Sequence, residues 1–288
     1  MEGNRYSIRI GRKRFKETGI NIDAANTDTV TRWWFWHGLG GLSFLFLLFF
    51  LLPVGLSVAV HMLGQPQPVN WWEARQDSTN QAPDPLTTPE AVIQVYAARA
   101  VSWRGAVGVH TWVAVKPAGA SHYTRLEVMG WGVRHGRQAV RIQAGVPDGY
   151  WFGSQPDKLV DLRGAGVDEI IARIYAAADH YPHRHEYRIW PGPNSNTFTA
   201  YIGRRVPELQ LHLPPTAIGK DYLAGGGIAA LAPSGTGFQL SLYGLAGLLV
   251  SLEEGIEINL LGLTVGIDVV QPALKLPGLG RIGVPLRP

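Results

Sequence analysis

Ala106-Val-Gly-Val-His-Thr-Trp-Val-Ala-Val-Lys116, the turn Pro117-Ala-Gly-Ala-Ser-His122, and Tyr123-Thr-Arg-Leu-Glu-Val-Met-Gly-Trp131 together set the fold class of this chain. Strand side chains alternate between two faces. Val107, Val109, Thr111, Val113 and Val115 therefore share one face, and His110, Trp112 and Ala114 the other. In the second run Thr124, Leu126 and Val128 oppose Arg125, Glu127 and Met129. A hairpin centred on the turn sets Trp112 across from Glu127 and His110 across from Met129, so that His110 and Glu127 share the face away from the valines.

Working outward, residues 139–144 read as a third strand. Residues 91–98 read as a strand in preference to a helix opened by Thr88 and Pro89, and residues 185–190 as a short strand. Residues 167–178 carry Ile170, Ile171, Ile174 and Ala178 at helical spacing behind Asp168 and Glu169. Residues 197–205 read as a helix stopped by Pro207. From Gly225 onward the alternating stretches 238–243, 248–252, 256–260 and 263–269 suggest a β-meander. The expected fold is α+β, an antiparallel sheet with two or three helices.

Before this lies a run from Gly38 to Leu63 without one charged residue, long enough to cross a bilayer as a helix. Trp33, Trp34 and Trp36 precede it and Trp71 and Trp72 follow, where amphipathic indoles settle at headgroup level. Arg5, Arg9, Arg12, Lys13, Arg14, Lys16 and Arg32 cluster ahead of the span, whereas Glu73, Asp77, Asp84 and Glu90 follow it with only Arg75. The positive-inside rule then keeps the N-terminus in the cytoplasm and exports the rest, a single-pass inner-membrane protein with a periplasmic or extracytoplasmic domain. A cleaved signal peptide is the rival reading; the apolar run exceeds a signal core and begins late. The expected division is a basic tail (1–37), a transmembrane helix (38–63), a Pro-rich linker (64–87), an α+β core (88–215) and a Gly-rich meander packed on it (216–288).

Most of the formal +4 charge belongs to the tail, which fits anionic lipid and a topology signal better than nucleic acid. The chain has no cysteine, which excludes disulfides, thiolate metal sites and a Cys nucleophile. No cofactor is implied. Expected partners are the lipid bilayer and cell-envelope components, and the oligomeric state is open.

Chemistry has one lead. Asn194-Ser-Asn-Thr-Phe198 follows Pro191-Gly-Pro193 and opens a helix, where free amides and the helix dipole favour an activated hydroxyl. Ser195 is the candidate nucleophile, His110 its base and Glu127 the group orienting the imidazole. Capping explains the same letters, since Asn and Ser are favoured at helix starts. Asp179-His-Tyr-Pro-His-Arg-His-Glu186 offers His180, His183 and His185 as ligands for zinc or copper, or simply a solvated connection.

The order of a strand His, a polar residue on the next strand, and Asn-Ser-Asn-Thr-Phe-Thr-Ala-Tyr-Ile on a helix resembles the circularly permuted papain-like folds of the NlpC and lecithin-retinol-acyltransferase kind. That resemblance implies a papain-like core over roughly 90–210, with His110 and Ser195 at the positions of the family's His and Cys and Glu127 as a looser third group. Serine replaces the thiol, so it implies either a serine variant or an inactive relative used for binding. Trp-Pro-Gly-Pro-Asn-Ser-Asn-Thr-Phe and Gly-Ile-Glu-Ile-Asn-Leu-Leu-Gly-Leu resemble the uncharacterised bacterial domain-of-unknown-function family 3750, which brings no established activity. Two expectations result. One is a non-catalytic binding or scaffolding module with a groove lined by Trp112, Trp131, Asn194 and Asn196. The other is a serine hydrolase or acyltransferase acting on peptidoglycan peptides or lipids.

Overall fold

The computed structural model describes residues 37–64 and 73–284. The basic tail, the flanking tryptophans and linker residues 65–72 lie outside the described residues. The chain divides into two units, 1–44 and 45–288.

Helix α1 (His37–Gly64) is 28 residues long and apolar enough to cross a membrane. Its backbone loosens to π-type bonding at Leu47–Leu51, directly before Pro53. Proline has no N–H to donate to the preceding turn, and a wider turn absorbs the mismatch.

The hairpin is part of a five-stranded antiparallel sheet of order β4-β3-β2-β1-β5, formed by β1 (Val92–Arg99), β2 (Val109–Lys116), β3 (Thr124–Val128), β4 (Val140–Ala144) and β5 (Asp157–Arg163). Val113 pairs with Leu126 and Val115 with Thr124, the expected register. The predicted third strand and the strand at 91–98 are both present. β5 is charged at four of its positions and lies at the sheet edge on β1, where Lys158 and Arg163 both pair with Asp161.

Two helices, α2 (Val167–Asp179) and α3 (Ser195–Arg205), cover the valine face. Val95, Val113, Val115 and Leu126 form one core there with Ile171, Ile174, Phe198 and Ile202. Val92, Tyr96, Trp112, Ala114, Tyr123 and Trp151 pack on the opposite face. Residues 185–190 are irregular instead of a strand. Their polar groups serve a turn, with the Arg188 amide donating to Pro193 O at 2.8 Å and the Trp190 indole to Leu261 O at 2.8 Å.

The part of the expected spacer that is described is docked. Asp148 is fully buried and accepts from Ser78 Oγ at 2.8 Å, the Gln81 amide at 2.6 Å and the Ala82 amide at 3.2 Å. A buried carboxylate needs such donors, and this short segment supplies them.

Seven further strands form a plain antiparallel meander of order β12-β11-β10-β9-β8-β7-β6. They are β6 (Ala229–Leu231), β7 (Gly237–Leu242), β8 (Ala246–Ser251), β9 (Gly255–Leu260), β10 (Leu263–Asp268), β11 (Ala273–Leu276) and β12 (Gly280–Gly283).

Candidate functional site

His110, Glu127 and Arg125 meet on the aromatic face of the five-stranded sheet. His110 Nε2 lies 2.9 Å from Glu127 Oε2, and the same oxygen accepts from Arg125 at 2.9 Å. Burial holds the His110 imidazole below its ordinary value against the pull of Glu127, so the ring is neutral near pH 7 and its Nε2 donates. Burial alone would raise Glu127, but hydrogen bonding from His110 and the charge of Arg125 outweigh it and keep the carboxyl below its usual range. Carboxylate and imidazole are thus locked together in a nearly dry site.

Aromatic rings complete the arrangement. His110 stacks on Trp151 with centroids 3.7 Å apart, Trp131 stacks on the same indole at 6.0 Å, and Phe152 meets both edge-on. The Arg125 guanidinium lies over the Trp112 ring at 4.4 Å. Trp131 ends the stack at the surface, 53% exposed. Arg134 and Arg137 beside it are exposed, Arg141 donates to Trp131 O at 3.0 Å, and residues 128–147 contain no acidic residue.

Ser195 sits elsewhere. Strand alternation turns Thr111, next to His110, toward α3, where its hydroxyl donates to Asn196 Oδ1 at 3.0 Å and lies 2.9 Å from the Thr199 hydroxyl. His110 points to the opposite side of β2, so the sheet itself separates the imidazole from the start of α3. The structure brings His110 and Glu127 together and does not bring Ser195 to them. The contact that the papain-like resemblance implies, strand His against helix-starting residue, is not formed.

The cap of α3 is Asn194, not Ser195. Asn194 Oδ1 accepts the Thr197 amide at 3.1 Å while Thr197 Oγ1 accepts the Asn194 amide at 3.1 Å, a reciprocal capping box. Asn194 also donates to Ile189 O and Ile218 O, Asn196 to Val109 O and Ile218 O, and Thr197 to Gly219 O. These side chains clasp residues 218–219 and β2 to the helix. Gly219 is part of the clasp: at φ +98°, a Cβ there would collide with the Asn194 side-chain amide. Asn194 and Asn196 are therefore spent on structure and do not line a groove with Trp112 and Trp131, and Trp112 itself is fully buried. Asn194→Ala should cost about 1–2 kcal/mol as a lost cap, whereas Ser195→Ala should stay within about 0.5 kcal/mol. Chemical denaturation of the two variants checks the order.

The three imidazoles of 180–185 do not converge. His180 Nδ1 bonds Ala176 O at 2.8 Å, His183 lies 3.5 Å from Glu186 and edge-on to Tyr181 and Tyr222, and His185 is exposed. Among the described residues, no group of three or more His, Asp or Glu is placed to hold a metal ion.

Arg125, Trp151 and Phe152 went unread in the sequence. Arg125 had a signal, being on the Glu127 face two residues away; Trp151 and Phe152 arrive on an irregular loop with none. A separate cleft of about 480 Å³, lined among others by Arg99, Asp157, Lys158, His212 and Arg281, contains none of the predicted site residues.

Residues 90–222 match a family described as a protein of unknown function (DUF3750). No curated protein and no solved structure matches the chain. The matched stretch takes in the five-stranded sheet, α2, α3 and the clasp; α1 and the meander fall outside it.

Proposed function

We propose that this is a membrane-anchored envelope protein that binds rather than cleaves, held by α1 with its N-terminus inside and the remainder outside the cytoplasm. Its recognition surface is Trp131 with Arg134, Arg137 and Arg141, and its ligand is an anionic, ring-bearing envelope polymer, namely peptidoglycan with its sugar faces and stem-peptide carboxylates. The observation that carries this reading is the sheet lying between His110 and Ser195, which keeps the expected base away from the hydroxyl. The His110 to Trp131 stack supports it further, because an exposed indole backed by parallel rings offers a flat, rigid face at little entropic cost. The planar arginine fork favours carboxylates, and no acidic residue occurs from 128 to 147 to compete for it along this stretch.

Calorimetric titration of the full chain with soluble peptidoglycan fragments tests the reading. Binding should survive Ser195→Ala, and Trp131→Ala should weaken it about tenfold or more, a loss of about 1.4 kcal/mol. Labelling of wild type by a serine-directed probe, abolished in both Ser195→Ala and His110→Ala, would favour the hydrolase instead.

A further inference from the structure

The meander sheet is inverted. Along β7 and β9, Gln239, Ser241, Glu257 and Asn259 face inward and are buried, while Phe238, Leu240, Leu242, Ile256, Ile258 and Leu260 face out. Strand pairing extends this into rows: Leu240, Leu248, Ile258 and Val265 are successive cross-strand neighbours, as are Phe238, Val250, Ile256, Ile267, Leu274 and Ile282. The outward side chains of β7 and β9 are 37–55% exposed. Apolar residues in water normally turn inward, and a contiguous apolar face on this scale marks an interaction surface.

What covers it follows from where the sheet is attached. Phe50, Pro53 and Ser57 are the buried positions on the C-terminal part of α1. Ser57 Oγ lies 2.5 Å from Ala106 O and 2.9 Å from Gly278 O, the latter in the β11–β12 turn. At 1.5 Å rise per residue, Phe50 lies about 21 Å along the helix from Gly64. A helix that crosses the bilayer over residues 38–63 carries those docking positions at hydrocarbon depth, and the sheet fixed to them goes with it. A second copy of the chain covering the same face would gain nothing from this attachment.

We infer that the outward face of the β6–β12 sheet rests in the acyl region of the same membrane that α1 crosses, so that the protein meets the bilayer through both a span and a sheet face; this rests on the anchoring proposed above. One face meets lipid while β7 to β11, paired on both sides, keep their backbone hydrogen bonds within the sheet. The inverted pattern is then the ordinary one for its solvent: polar groups satisfied inside, apolar groups toward lipid.

The absence of cysteine makes the test direct, since any introduced thiol is unique. Leu240→Cys and Ile258→Cys report the sheet face, Leu52→Cys the exposed side of α1, and Ser121→Cys the β2–β3 turn. The full chain, labelled with an environment-sensitive fluorophore, is placed in phospholipid vesicles. The labels at 240 and 258 should lose fluorescence to nitroxide-bearing lipids as the label at 52 does, and the label at 121 only to an aqueous quencher. Water-accessible labels at 240 and 258, beside a lipid-quenched label at 52, would overturn the inference and leave the anchoring standing. Labels at 240 and 258 shielded from both quenchers, with self-quenching that grows with protein density, would overturn it in favour of a second copy. A water-accessible label at 52 would overturn the anchoring as well.

Discussion

Glu257→Gln is expected to lower the unfolding free energy by about 3–5 kcal/mol, because it strands the buried Lys275 ammonium and leaves Lys220 with Asp221 alone. Glu257 accepts from Lys275 at 2.6 Å through one oxygen and from Lys220 at 2.5 Å through the other, with all three side chains buried. Lys220 also meets Asp221 at 3.1 Å, and Lys275 donates to Glu254 O and lies 2.6 Å from His212 Nε2. Asn259 donates to Asp221 at 2.6 Å, and Arg204 to Gln239 at 2.5 Å. Removing one charge of such a network costs more than the pair contributed, since the partners stay desolvated. Lys275→Met should cost less, because Glu257 keeps Lys220.

The pH dependence separates this effect from simple misfolding. Burial alone would raise the Glu257 carboxyl, but the charges of Lys220 and Lys275 outweigh it and bring it from 4.5 down to about 2. A depressed carboxyl contributes stability that is present above its unfolded value and lost as pH falls through its folded one. The gap between wild type and Glu257→Gln in urea titrations should therefore hold steady above pH 4.5 and narrow toward pH 2. Lys220 is raised above its ordinary value by Asp221 and Glu257 despite its burial, so its contribution is full below pH 10.5 and fades only in stronger alkali. A gap that does not change with pH would show that Glu257 acts only by its shape.

Trp151→Ala is expected to cost about 3–5 kcal/mol, the usual loss for a truncated buried aromatic. Trp151 is 9% exposed and touches His110, Trp112, Trp131 and Phe152, so its removal opens the aromatic face at the centre. Water then reaches His110, whose imidazole is held low chiefly by burial, and its pKa should climb toward 6.5. The sign for stability follows. In wild type the neutral ring costs stability as pH falls below 6.5, and in Trp151→Ala that acid limb should be shallower. Following the His110 ring protons by NMR reads the shift; an unmoved His110 would show that the stack does not keep it dry.

Much of the scaffold was legible because strand period and hairpin symmetry are local. Alternation from Val109 to Lys116 fixed which residues share a face, and the turn fixed the register that carries Glu127 to the His110 side. The same alternation already placed His110 opposite the valines, but only the packing of α3 on the valine side revealed that Ser195 lies across the sheet from it. Helix starts were readable too, although the identity of the cap was not: Asn, Ser and Asn are interchangeable candidates until a reciprocal partner such as Thr197 chooses one. β5 escaped because four of its seven residues are charged, and an edge strand tolerates charges that a central one would not.

By itself, then, the sequence determined an uncharged membrane-length helix, an α+β domain, the His110–Glu127 face and the four central strands β7 to β10 of the meander, since each rests on spacing along a few neighbouring residues; the short β6, β11 and β12 carry too little alternation to be read. Tertiary structure alone decided which face of the meander is inside. Glu257 and Asn259 alternating with Ile256 and Ile258 read the same whichever side meets the core, and only Lys220, Lys275 and Asp221, brought in from distant positions, turn the polar side inward. A two-faced strand has no intrinsic inside; it takes the side on which its charges find partners, and leaves its apolar side to whatever solvent lies beyond.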